Sequence, residues 1–144
     1  MKTISTLIFC FCLSSAVAYG LTDSFLKMVS TGGPRSLEEA LRILPTSSGE
    51  EAKDLKTALG KSIVKSPKSF LKALKKHSLP QKQLDDVVAS YEDDAANTDK
   101  QAQQKEARLR IESLKSVEDK ELKTVRDECI ASLEKKINQP TQQN

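Results

Sequence analysis

Apolar positions recur at intervals of three and four along most of the chain, and no segment alternates in the manner of a strand. Leu37, Ala40, Leu41 and Leu44 form one stripe, closed by Pro45, and Ala52, Leu55, Leu59 and Ile63 form the next. Phe70, Leu71 and Leu74 share a face. Leu84, Val87, Val88 and Tyr91 follow, and then a sparser set, Ala107, Ile111 and Leu114. The last stripe, Leu122, Val125, Cys129, Leu133 and Ile137, advances by 3, 4, 4 and 4 residues.

Helix punctuation separates these stripes. Thr22-Asp23 is suited to cap a short helix through about Val29, and Thr31-Gly32-Gly33-Pro34 breaks it. Ser36-Leu37-Glu38-Glu39 and Ser48-Gly49-Glu50-Glu51 have the form of capping boxes, in which Ser accepts from free N–H groups and Glu reaches back. Ser66-Pro67 puts proline at the first helical position, where its missing N–H costs nothing. Ser78-Leu79-Pro80, Asn97-Thr98-Asp99 and Ser116-Val117-Glu118-Asp119 open three further helices. The expected fold is all-α: about six short antiparallel helices after a signal peptide, as a helical bundle or a short α-solenoid-like stack.

Two details refine that picture. Gly60 lies inside a helix at a cost of about 1 kcal/mol relative to Ala, which points to a close helix contact. Pro34-Arg35-Ser36 with Ala40-Leu41-Arg42 recurs as Pro67-Lys68-Ser69 with Ala73-Leu74-Lys75, an offset of 33 residues. Helical solenoids repeat at similar periods, although two capped helices also resemble each other by chance. No tetratricopeptide, ankyrin or HEAT signature accompanies the echo.

The N-terminus follows a different pattern. Lys2 is the only charge before Asp23, an apolar run extends from Ile4 to Leu13, and Ala16-Val17-Ala18 satisfies the small-x-small rule. This is the form of a secretory signal peptide over 1–18, with cleavage after 20 as an alternative. The apolar run is too short for a membrane span, which needs roughly 20 residues. Cys10 and Cys12 follow Phe9 and Phe11, not the small residue of a lipoprotein site, and leave with the leader. Beyond it we expect an N-terminal helical body over 19–92, a C-terminal helical pair over 98–137 and a disordered tail over 138–144. The first turns of the long helix, Lys100 to Glu106, are nearly all polar, so a hinge is expected at Asp93–Thr98.

Composition then narrows the chemistry. The chain has 144 residues, 23 Lys and Arg against 20 Asp and Glu, no Trp and one His. The core must therefore be built from Leu, Ile, Val and Ala. Cys129 alone survives cleavage of the leader, so the exported chain is disulfide-free internally, which counts against stapled small scaffolds. A nucleophile needs a base beside it, and His77 lies at a helix end in Lys75-Lys76-His77-Ser78, where a cation complements the helix dipole. Cys129 sits in an apolar stripe, the usual place of an inert buried thiol. One Cys and one His make a poor zinc site. Gly60-Lys61-Ser62 lacks the earlier glycine of a phosphate loop, and the acids around Asp93 lack the spacing of a calcium loop. No catalytic residue, metal or cofactor is expected.

Charge segregation is the remaining signal. Between Lys53 and Lys82 there are nine Lys and one acid, and between Leu84 and Asp99 six acids and no base. A basic binding face is expected on Lys61, Lys65, Lys68, Lys72, Lys75 and Lys76, and an acidic face on Asp85, Asp86, Glu92, Asp93 and Asp94. Nucleic acid is a poor partner, because the basic stretch holds no Arg and one aromatic residue. The expectation is a secreted or periplasmic non-enzymatic helical protein that binds another protein, as an inhibitor, an immunity-type protector or an adaptor. An alternative is a cationic protein for anionic membranes or cell-envelope polymers. The least favoured alternative is an enzyme using His77 or Cys129.

Overall fold

The computed structural model describes residues 21–91 and 99–138. Within them the protein is all-α, with seven helices: α1 (Asp23–Ser30), α2 (Pro34–Ile43), α3 (Gly49–Lys65), α4 (Pro67–Lys76), α5 (Gln81–Val88), α6 (Lys100–Lys115) and α7 (Lys123–Asn138). Single 3₁₀ turns at Leu44–Thr46 and Lys120–Leu122 join α2 to α3 and lead into α7.

Local chemistry sets most boundaries. The Thr22 hydroxyl accepts from the Phe25 N–H at 3.2 Å and caps α1. Asp99 accepts from the Gln101 N–H at 2.9 Å and caps α6. The capping box expected at Ser36 does not form. Pro34, with φ fixed and no N–H to satisfy, starts α2 behind Gly33 two residues earlier. Glu39 is thereby placed inside the helix, and pairs with Arg42 at 2.5 Å. Ser48 does precede α3, but its hydroxyl makes no capping bond. Before α7 the side-chain cap is Asp119, accepting from Glu121 N–H at 3.1 Å, while Ser116 closes α6.

α1 packs on α3, α2 on α4 and α3 on α5, so each of these helices meets the one two places along, and the whole is consistent with an all-α bundle. The echoed helices α2 and α4 both have 10 residues, both begin with proline, and lie against each other. Gly32, at φ 86°, turns the chain between α1 and α2, and a Cβ there would collide with that of Ser66 at the α3–α4 corner. α6 and α7 pair with one another, α6 also covering α3 and α7 covering α5 and α4.

One buried cluster runs through all seven helices, from Val29 and Leu37 through Leu55, Leu59 and Phe70 to Val87, Leu114 and Leu133. Phe70 is its aromatic member. Residues 92–98, where the hinge is expected, lie outside the described residues, as do the leader and residues 139–144. No described helix is long and apolar enough to cross a membrane.

Candidate functional site

α4 sets a buried apolar face against an exposed cationic one. Phe70, Leu71, Ala73 and Leu74 are buried, while Lys68, Lys72, Lys75 and Lys76 are exposed. Lys65 is exposed at the end of α3, and Lys61 is half-buried one turn earlier. Three of the exposed cations pair with acids from outside the stretch that follows them in sequence. Lys76 reaches Glu38 of α2 at 2.6 Å, Lys68 reaches Asp119 at 3.2 Å, and Lys75 reaches Glu121 at 3.4 Å. The last two acids lie in the link between α6 and α7. The Lys76 hydrogen bond holds the Glu38 carboxyl below its ordinary range, and the Lys68 bond does the same for Asp119. A recess of about 550 Å³ opens at one end of this strip, where Lys65 and Lys68 face Glu118 and Asp119.

Asp85 and Asp86, from the expected acidic face, are half-buried on α5. Asp86 meets Lys56 of α3 at 3.3 Å. Asp85 accepts a short hydrogen bond from the Ser132 hydroxyl of α7, a second from Gln81 at 2.8 Å, and faces Lys135 at 3.9 Å. The Ser132 bond lowers its carboxyl below the ordinary value. Both carboxylates tie helices together. Glu92, Asp93 and Asp94 lie outside the described residues.

The two residues weighed for catalysis lie on separate elements, His77 at the end of α4 and Cys129 on α7. His77 follows the last residue of α4, and its backbone N–H closes the helix on Ala73 O at 2.8 Å. Its Nε2 lies 3.9 Å from Glu38, within the same charged strip. Cys129 is a free, fully buried thiol on α7, and burial pushes its pKa up to about 12. A thiol held neutral in this way is a poor nucleophile. Among the described residues no group of three His, Cys, Asp or Glu side chains converges as metal ligands.

The most unusual side chain escaped the sequence reading. Arg110 of α6 is 1% exposed, among the largest fully buried side chains. Its Nη1 donates to the Val88 carbonyl at 2.7 Å, its Nε lies 3.4 Å from Glu106, and its guanidinium stands 4.8 Å from the centroid of the Tyr91 ring. Desolvation pushes the Arg110 pKa down, and burial raises that of the Tyr91 phenol. Gly60 of α3 makes the room. A Cβ there would lie 2.8 Å from Nη1 and 2.8 Å from the Ser90 carbonyl. The close approach expected at Gly60 is therefore made to a buried cation as well as to backbone. The available signal was positional: Arg110 falls between Ala107 and Leu114, inside the apolar stripe.

These features define an all-helical protein with a strip of alternating surface charge over α4 and one cation sealed beneath α6. Comparison with protein-family models, with curated proteins and with solved structures gives no match.

Proposed function

We propose that this is an exported, non-enzymatic helical protein that binds another protein through the α4 strip. The export reading rests on the leader, with its charged start, short apolar run and Ala16-Val17-Ala18 exit. The observation that carries the binding reading is the alternation of sign. Lys68, Lys75 and Lys76 are interleaved with Asp119, Glu121 and Glu38 contributed by neighbouring elements. A uniformly anionic membrane or polymer would meet those acids as well as the lysines. A protein surface of complementary mixed charge would pair with both. Exposed ion pairs contribute about 0–1 kcal/mol each, so exchanging them for intermolecular pairs costs little. The recess bounded by Lys65, Lys68, Glu118 and Asp119 offers a place for a side chain of the partner. An inhibitor, a protector against a toxin and an adaptor all fit this mode.

The test is site-specific photo-cross-linking at Lys72, an exposed α4 position, in the exported protein fraction. One discrete protein adduct is expected. It should weaken at raised ionic strength and be lost when Lys65, Lys68, Lys75 and Lys76 are changed to Gln. Sedimentation with anionic vesicles, in the absence of any protein adduct, would replace this reading by the cationic-surface alternative.

A further inference from the structure

We propose that the acids flanking α4, Glu38 on one side and Asp119 and Glu121 on the other, are specificity determinants that keep this cationic helix off uniformly anionic surfaces and reserve it for a partner of mixed charge. This rests on the reading of the α4 strip as the binding surface and gives the acids their part in it. As an isolated segment α4 has the form of a membrane-surface helix, with Lys68, Lys72, Lys75 and Lys76 opposite Phe70 and Leu74. The fold changes that in two ways.

The apolar face is already occupied. Phe70 and Leu71 are fully buried in the core, and Ala73 and Leu74 nearly so. Nothing on α4 is left to insert among acyl chains, so only the attraction of its lysines for anionic headgroups remains.

That attraction is offset where it arises. Helical spacing puts Lys68 and Lys75, two turns apart, on one side of the exposed face, Lys76 on the other and Lys72 between them. α4 packs against α2 and against the turn at Lys120–Leu122. Glu38 of α2 pairs with Lys76 at 2.6 Å, and from the link Asp119 pairs with Lys68 at 3.2 Å and Glu121 with Lys75 at 3.4 Å. Across the helix the sign therefore runs negative, positive, negative. The hydrogen bond from Lys76 holds the Glu38 carboxyl below its ordinary range, and that from Lys68 does the same for Asp119, so both stay ionised at neutral pH. Glu118 adds a further acid at the recess beside Lys65. A lysine with a carboxylate this close acts on a distant surface as a dipole, not as a free charge. An extended anionic surface meets all of these carboxylates at once. A protein can set a base opposite each acid and an acid opposite Lys72.

Sedimentation of the full exported chain with vesicles of phosphatidylcholine and about a third phosphatidylserine, at neutral pH and low salt, tests the proposal. The unaltered protein should stay in the supernatant. The triple variant Glu38→Gln, Asp119→Asn, Glu121→Gln should sediment, with affinity raised about 100-fold, since each charge near such a surface is worth roughly fivefold. Asparagine keeps a side-chain acceptor for the Glu121 N–H, so helical circular dichroism should not change. Adding Lys68→Gln, Lys72→Gln and Lys75→Gln should return the variant to the supernatant. A control of equal net charge, Glu112→Gln, Glu128→Gln, Glu134→Gln, removes exposed acids of α6 and α7 that pair with none of these lysines, and should not sediment. Equal sedimentation of the unaltered protein and the triple variant would overturn the proposal, and so would a control that gains as much. The protein adduct at Lys72 is read separately, so a failed filter is distinguishable from a failed binding surface.

Discussion

α4 and α6 are both cationic helices lying on the same core, and they dispose of their charge in opposite ways. α4 buries Phe70, Leu71, Ala73 and Leu74 and leaves its lysines in water. α6 keeps Lys105 and Arg108 outside but carries Arg110 into the core. The first arrangement gives a dense apolar seam under a surface of exchangeable ion pairs. The second gives a sparse seam interrupted by a desolvated charge. Amphipathic pattern alone does not separate the two helices. What differs is that a charge falls inside the stripe of α6.

The largest effect should come from cutting the α4 seam. Phe70→Ala is expected to cost about 3–5 kcal/mol in denaturant unfolding, since Phe70 is fully buried. Ile111→Val on α6, where the side chain is 8% exposed, should cost about 0.5–1.5 kcal/mol.

The partner of α6 supplies a second probe. The folded Cys129 thiol has its pKa raised from 9.0 to about 12. Below pH 9 both states hold the proton and stability does not depend on this group. As pH climbs from 9.0 to about 12 the unfolded chain ionises first, so stability falls across that window. Cys129→Ala should remove that part of the fall, as followed by thermal melts in alkaline buffer. Thiol reagent should label Cys129 only after denaturation, and rapid labelling of the native protein would show that α7 opens under native conditions.

Gly60→Ala should destabilise the protein by about 1–3 kcal/mol through overpacking, against a gain of about 1 kcal/mol in helix propensity. A neutral or stabilising result in thermal unfolding would mean that the space beside Arg110 is looser than its 2.8 Å approach implies.

The smallest effect belongs to the exposed side of α4. Changing Lys68, Lys72, Lys75 and Lys76 to Gln should leave helical circular dichroism intact and shift stability by about 0.5 kcal/mol or less per site. What these pairs contribute is present above the ordinary carboxylate range. It is lost as pH falls through the lowered pKa values of Glu38 and Asp119, and it weakens with salt. A large destabilisation at neutral pH would make these pairs structural and leave α4 without a spare binding surface.

Helix positions were readable because a stripe at three- and four-residue spacing and a cap are both local. Thr22, Pro67 and Asp99 mark their helix starts from covalent and hydrogen-bonding preferences acting over a few residues. The error at Ser36 has the same scale: two local signals competed, and the fixed φ of Pro34 prevailed over a side-chain cap. The lysines of α4 were legible as an exposed face, but their partners were not. Glu38, Asp119 and Glu121 come from distant parts of the chain, whereas the adjoining acids Asp85 and Asp86 turned to Ser132 and Lys56.

The sequence by itself determined that this protein is all-helical, where most of its helices begin and which faces they bury, because periodicity and capping are properties of neighbouring residues. Tertiary structure alone decided which charges meet. It set Lys76 against Glu38, closed Asp85 on Ser132, and carried Arg110 to the notch at Gly60. An ion pair or a buried cation depends on which surfaces come together in space, and separations of 38, 47 and 50 residues along the chain leave no local trace of that meeting.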